Sequence, residues 1–266
     1  MDLQRVLDSI KDIFINESKY GFDKHIWEFT PNSKYLGDAV LFSMAETTNP
    51  PTFYFVVSPY DDQSQKAPQH ALVFKNGNLI LDTDYTEYAD IRTGAMDTLL
   101  LQSLGMESLA DKKILMYGKG KIATWSQKFL KHSFPDCPEI TIVDSKTDPT
   151  SYNISDQDII ICHTNTKFPL LSDPSKIKPG AIITTFISSP PVTNQEITGA
   201  FYNPDQANII LDWDKNAARD PEIKSKPILF GDILSEKASI DQSKKYTVAR
   251  FLGTPLQNLA ILKTLI

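Results

Sequence analysis

The stretch KKILMYGKGKIATWSQKFL, Lys112 to Leu130, decides how the rest of the chain is read. An apolar run, Ile114 to Tyr117, leads straight into Gly118-Lys119-Gly120-Lys121-Ile122-Ala123, and a helix-compatible segment follows. This is the G-x-G-x-x-[GA] pattern in the setting it needs: strand, tight turn, helix. The first glycine permits the turn, and the second admits backbone N–H groups to a pyrophosphate. The small third residue lets helix and strand pack closely. Phosphates would then lie at the positive end of the helix. The bare pattern also arises by chance in ordinary glycine turns, so its neighbours must carry the reading.

They do. After Cys137-Pro138 comes EITIVD, an apolar strand ending in Asp144, 26 residues beyond Gly118. The dinucleotide fingerprint places a ribose-binding acid roughly 20 residues on, and a longer helix or loop covers the difference. A carboxylate there accepts bonds from the ribose hydroxyls and repels a 2′-phosphate, which favours NAD over NADP. Lys146, two residues on, weakens that preference, because a cation could hold the phosphate. Ser145 lies between them. The expected cofactor-binding set from this unit is Gly118, Lys119, Gly120, Lys121, Ile122, Asp144, Ser145 and Lys146. A solvated strand end is the plainer reading of Asp144.

Composition limits the alternatives. The chain has 266 residues, 41 % of them hydrophobic and 23 % charged, an ordinary globular balance with room for one large domain or two smaller ones. A net charge of −6 gives no electrostatic case for a nucleic-acid or anionic-membrane partner. Two cysteines, Cys137 and Cys162, have no metal-type spacing and suggest a reducing compartment. Four scattered histidines add no ligand set, so no metal site is expected. Met1 to Ile15 lacks a secretory pattern, and no apolar run approaches the ~20 residues of a membrane span. A cytoplasmic protein is expected.

Leu3, Val6, Leu7, Ile10, Ile13 and Phe14 recur at helical spacing behind Asp2, a capping residue. From Ala39 to Leu81 the texture is that of strands: AVLFSMAE, TFYFVVSP, HALVFK and NLILD, the last two joined by a turn at Asn76-Gly77. Thr86 to Gly105 reads as a helix stopped by its glycine. Strand and helix patterns then alternate through KILMY, ITIVD, DIIICHT, AIITTF, NIILDW and PILFGD. Near-continuous apolar strands between helices mark a parallel sheet covered on both faces. The segment after Gly253-Thr254-Pro255 is again helical in pattern. The predicted fold class is α/β: a strand-rich amino-terminal domain, a linking helix and a doubly wound, Rossmann-type nucleotide domain.

Six blocks, in order, resemble the ornithine cyclodeaminase/mu-crystallin family. Arg92-Thr93-Gly94-Ala95 is similar to its R-T-A-A, Gly118 to Ala123 to its G-T-G-V-Q-A, and Asp158 to Thr164 to its D-V-I-V-T-A-T. Lys178 to Ala181 is similar to L-x-P-G-x-H-I-N, Phe230 to Leu234 to L-G-E-V-L, and Thr247 to Ala260 to T-V-F-K-S-V-G-x-A-x-x-D-L-A. The resemblance runs from about Leu41 to the end. It implies an NAD(P) enzyme acting on a small amino acid or cyclic imine, and a homodimer built by the sheet of a smaller α+β substrate domain. That domain would span 1–105, with 250–266 returning to it, and the Rossmann domain 106–249.

The resemblance also distributes roles. Arg92 would hold a substrate carboxylate, since its planar fork suits a bidentate bond. Thr93 would touch substrate or nicotinamide, or simply serve the helix start. Thr164 and Gly253 would border the cofactor. His70 lies at the family spacing after Pro59 and is a candidate for acid/base work, with a core or interface histidine as the alternative. His163, at a strand end with Thr164, could touch cofactor, relay a proton or simply pack. Asp232 and Arg250 would each form an ion pair that fixes the interdomain geometry.

Departures shape the function. The family's strand lysine falls on Phe53 or Tyr54, with Lys66 or Lys75 as loop substitutes that no pattern supports, and its catalytic Asp falls on Ser189. Cyclodeamination needs an acid/base to handle ammonia and water, and an unactivated serine is a poor base. Hydride delivery to a pre-formed iminium needs mostly positioning. The expectation is therefore an NAD(P)-dependent oxidoreductase that reduces an imino acid or oxidises the matching amino acid. Arg92, Ser189 and His70 are its catalytic candidates. A cyclodeaminase-type lyase is the second reading. A nucleotide-binding sensor or carrier with lost chemistry is the third.

Overall fold

The computed structural model describes residues 1–27, 39–46, 48–59, 68–144, 152–164, 166, 169–186, 196–215, 223 and 225–266, with 26, 27, 39 and 59 described through their backbone alone. These residues form two compact units, 1–93 with 253–266 and 94–252. The division falls inside the linking helix rather than at its end at 105/106. The reason is Gly94. A Cβ there would lie 2.7 Å from the Ser126 backbone nitrogen and 2.8 Å from Trp125 Cβ, so the helix from this point on is packed against the nucleotide unit's own helix.

The first unit holds a five-stranded antiparallel meander. It comprises β1 (Tyr20–Trp27), β2 (Ala39–Glu46), β3 (Thr52–Pro59), β4 (His70–Lys75) and β5 (Asn78–Asp84), in that order. The strand β1 was not foreseen. Its Asp23-Lys24 pair and Gly21 break the apolar pattern, and pairing with β2 supplies what propensity lacks. The β4–β5 hairpin turns through Asn76 and Gly77 at φ 53° and 74°, the left-handed pair that the Asn-Gly turn demands.

One sheet face is closed by α1 (Leu3–Ile15) and α5 (Pro255–Leu265). Asp2 caps α1 by accepting from the Arg5 N–H, as its position predicts. Pro255 to Leu262 are all buried, because α5 runs between the sheet and α1 and has no solvent face along this stretch. The opposite sheet face is left apolar and only partly buried, at Leu41, Phe55, Val57, Leu72 and Phe74, with Phe53 44 % exposed.

Helix α2 (Thr86–Ser103) starts with the Asp84 carboxylate accepting from the Thr86 N–H and stops at Gly105, φ 80°. The second unit then builds a seven-stranded parallel sheet. Its strands are β6 (Ile114–Tyr117), β7 (Thr141–Val143), β8 (Ile159–Cys162), β9 (Ala181–Thr185), β10 (Ala207–Leu211), β11 (Ile228–Leu229) and β12 (Tyr246–Arg250). Their spatial order is β11-β10-β12-β9-β8-β6-β7. The chain runs from β6 to β7 on one side and then crosses to β8 on the other. This reversal makes a crevice at the carboxyl ends of β6 and β8.

Three expectations change here. Tyr246 to Arg250, absent from the strands that the sequence pattern marks, is a central, wholly buried strand between β10 and β9. Of PILFGD, only Ile228–Leu229 is strand, and Phe230–Leu234 forms the short helix α4. Among the described residues of the crossovers, α3 (Lys121–Ser133) is the long helix, while the described parts of those after β8 and β9 are coil and single 3₁₀ turns. Prolines 169, 174, 179 and 204 punctuate these stretches and withhold the N–H groups that helices need. Ile177, Ile197, Phe201 and Tyr202 nonetheless close this face of the sheet over Ile160, Ile183 and Ile209.

Gly94→Ala should overpack the crossing of α2 and α3 and cost about 1–3 kcal/mol. A melting curve checks it: the variant should unfold several degrees below the wild type.

Candidate functional site

The Gly118 loop lies at the crevice. Gly118 has φ 103°, and a Cβ on it would come within 2.2 Å of the His163 carbonyl oxygen. Only glycine fits, and the loop is thereby seated on the end of β8. The Gly118 N–H donates to the Val143 carbonyl at 2.7 Å, and the His163 N–H donates to the Tyr117 carbonyl at 2.8 Å. Gly120 is different. It precedes α3 with ordinary φ and ψ, −71° and −174°, and a Cβ on it would meet nothing within 4 Å. The protein itself gives no steric reason for that glycine, and no side chain caps the helix behind it. An open cradle at the start of a 13-residue helix fits a close-approaching phosphate. Ala123, fully buried, closes the motif against the sheet. Lys119 and Lys121 are exposed, and Ile122 is partly buried.

Asp144 follows β7 across the loop, and the Lys119 ammonium forms a hydrogen-bonded ion pair with it. The lysine side chain is 60 % exposed, so the pair adds little stability. Its consequence is chemical: a cation on this carboxylate offsets the carboxylate's repulsion of a 2′-phosphate. Ser145, Lys146 and Ser189 lie outside the described residues.

A buried polar centre stands behind the crevice, and sequence reasoning missed most of it. Asp97, wholly buried on α2, accepts from Ser126 Oγ at 2.5 Å and from Thr184 Oγ1 at 2.8 Å, and its Oδ2 lies 2.8 Å from His163 Nε2. Glu196, also buried, accepts from the Thr164 N–H at 2.8 Å and the Phe186 N–H at 2.9 Å, and from the Thr185 hydroxyl at 2.8 Å. Burial pushes the Glu196 carboxyl up, while those donors, and His163 whenever it is protonated, pull against the shift. Thr164 thus spends both its N–H and its hydroxyl on Glu196. Asp97 did leave a trace in the sequence, a lone acid within GAMDTLLL. Glu196 left none that spacing could use.

In the first unit, Arg92 Nη1 donates to Gln257 Oε1 of α5 at 2.5 Å. Gly253, φ 76°, lies against the same guanidinium, and a Cβ there would stand 3.0 Å from Nη1. The glycine and Gln257 together set the plane of the fork. The other candidates are placed differently. Thr93 Oγ1 donates back to the Ala89 carbonyl at 2.8 Å, as a helix hydroxyl does. His70 lies on the exposed side of β4, its Nδ1 3.6 Å from an Asp82 carboxylate oxygen, so it is no core histidine. Arg250, fully buried, donates to the Tyr202 hydroxyl, and its guanidinium lies 5.4 Å from that ring's centroid.

At the absent strand lysine, Phe53 points to the open face and Tyr54 to the core, where burial and Glu46 hold its hydroxyl protonated. Lys75 sits exposed beside the β4–β5 turn, and Lys66 lies outside the described residues. Lys263 pairs with Glu46 at 2.5 Å. It lies about 9 Å of helix rise from Gln257, too far along α5 to stand beside Arg92. Among the described residues, no cluster of metal ligands occurs and no helix is long and apolar enough to cross a membrane.

The sequence matches no protein-family model and no curated protein. Solved structures do match the fold. A probable ornithine cyclodeaminase from Bordetella pertussis aligns with a TM-score of 0.79 at 15 % identity, over 98 % of this chain and 91 % of that one. An archaeal alanine dehydrogenase dimer with bound NAD gives 0.74 at 15 % identity, over 99 % and 90 %. The Delta(1)-pyrroline-2-carboxylate reductase of Thermococcus litoralis, in complex with NADH and L-proline, gives 0.74 at 13 % identity, over 99 % and 92 %. The chain has the fold of these enzymes, the one its six sequence blocks resemble.

The two loop glycines should separate by experiment. Gly118→Ala should lower the melting temperature sharply, because its Cβ meets backbone. Gly120→Ala should leave it within a degree or two and weaken NADH binding at least tenfold, by fluorescence titration. Unchanged NADH binding would remove Gly120 from the phosphate site.

Proposed function

We propose that this protein is an NAD(P)-dependent oxidoreductase that reduces a small imino acid, cyclic or open, or oxidises the matching amino acid. The observation that carries the reading is Gly120. A glycine with no conformational or steric need of its own opens the start of α3 at the switch point of a Rossmann-type sheet. Gly118, Lys119, Gly120, Lys121 and Ile122 would bind the pyrophosphate through the loop and the first turn of α3. Asp144 would accept from the adenosine ribose. The Lys119–Asp144 pair favours tolerance of both NAD and NADP. The bound nicotinamide would supply or take the hydride.

The chain's own part is positioning. Arg92 presents a planar fork whose orientation Gln257 and Gly253 fix, and a substrate α-carboxylate is the group that such a fork binds best. An iminium brings its own positive charge, so reduction asks less acid/base work of the protein than ammonia loss does. This weighs against a cyclodeaminase, as does Phe53-Tyr54 where the family's strand lysine falls. We further propose that His70 belongs to an interface rather than to the chemistry. Its strand lies on the half-exposed apolar face of Leu41, Phe53, Phe55, Val57, Leu72 and Phe74, which a second copy of the chain would cover.

Substituting Arg92 by Ala should raise KM for the amino or imino acid by two orders of magnitude while leaving the NADH dissociation constant within twofold. An unchanged KM would remove Arg92 from the substrate site. Ammonia released from ornithine without net NADH formation would instead establish the lyase. Phe53→Glu should shift the protein from dimer to monomer in sedimentation velocity. A wild-type monomer would refute the interface.

A further inference from the structure

His163 holds an unused polar atom. Its side chain is 1 % exposed, its Nε2 lies 2.8 Å from Asp97, and its Nδ1 is buried with no hydrogen-bond partner among the described residues. Asp97 accepts from the Ser126 and Thr184 hydroxyls as well. As an acceptor-only group it keeps the imidazole proton on Nε2. In the neutral form of the ring, Nδ1 then carries a bare lone pair inside the protein. An acceptor left so costs about 1–3 kcal/mol, which a sequence free to replace the histidine would avoid.

The place of this atom matters. His163 directly follows β8, and its carbonyl is the surface on which Gly118 rests. Asp144 follows β7, on the other side of β6. A dinucleotide bound across the crevice puts one nucleoside on each side of the central strand. If Asp144 marks the adenosine side, the nicotinamide nucleoside extends over the ends of β8 and β9, where His163 and Phe186 stand. That half of the molecule carries hydrogen-bond donors: two ribose hydroxyls and the carboxamide NH₂.

We propose that His163 Nδ1 accepts a hydrogen bond from the nicotinamide nucleoside of the bound dinucleotide, with Asp97 the positioning residue that fixes the tautomer. The inference rests on the dinucleotide reading above. It requires the partly buried Phe186 ring, whose centroid lies 4.5 Å from that of the imidazole, to turn aside on binding.

His163→Gln is the informative variant. Glutamine keeps an amide N–H near the position of Nε2 for Asp97 and has no atom in place of Nδ1. Calorimetric titration with NADH should show affinity about tenfold weaker than wild type, the worth of one such bond. The melting temperature of the unliganded variant should stay level or rise. Titration with ADP-ribose, which lacks the carboxamide, locates the donor. A parallel loss points to a ribose hydroxyl, and an unchanged affinity points to the carboxamide. Asp97→Asn, which releases the tautomer, should weaken NADH binding in the same sense. In the wild-type protein the ¹⁵N resonance of His163 Nδ1 should move when NADH is added. Equal NADH affinities for wild type and His163→Gln, or an unmoved resonance in a protein that binds NADH, would overturn the proposal and leave Nδ1 to a buried water. A wild-type protein that binds neither NADH nor NADPH would overturn the dinucleotide reading, and this one with it.

Discussion

The seating of Gly118 on the His163 carbonyl is the constraint on which the second unit turns. A backbone can approach another backbone this closely only where no Cβ intervenes and where φ is free to be positive. The approach holds the ends of β6 and β8 together at the point where the chain reverses direction across the sheet. It also aims α3 across the crevice, so that its uncapped amino end and Gly120 look into open space. On the far side of the same residue, the His163 ring is fixed by Asp97. One residue thereby ties the Gly118 loop, through backbone, to the buried polar centre, through side chain.

That centre is expensive to build. Two carboxylates, Asp97 and Glu196, lie almost without exposure inside the second unit. Each is tolerable because it is saturated with donors: hydroxyls from Ser126 and Thr184 for Asp97, and backbone N–H groups with the Thr164 and Thr185 hydroxyls for Glu196. The donors come from α3 and from the carboxyl ends of β8 and β9, so the network also fixes the relative height of those strand ends. A similar economy operates in the first unit, where Gly253 makes room for the Arg92 guanidinium and Gln257 orients it. In both places a glycine or amide does silent work beside a charged group that the reading of function depends on.

Much of this was legible in the chain. The β2, β3 and β4 boundaries, the Asn-Gly turn, α2 with its glycine stop, and the strand–loop–helix of Ile114 to Ser133 follow from periodicity and turn chemistry over a few residues. The strands β1 and β12 were not legible, for opposite reasons. The first is too polar to announce itself and exists because β2 offers it an edge. The second is short, stands directly before a turn and a helix, and is a strand because two apolar neighbours flank it.

The sequence by itself determined the fold class, the glycine loop between β6 and α3 and the candidate arginine, because each is written in contiguous residues whose local geometry is nearly forced. Only the tertiary structure decided that Asp97, Ser126, His163 and Thr184 converge, that Glu196 gathers two strand ends, and that Gln257 reaches back across 165 positions to Arg92. Such groups carry no mutual spacing rule. They meet because a parallel sheet delivers the ends of distant strands to one edge, and a helix packed across that edge places Asp97 among them.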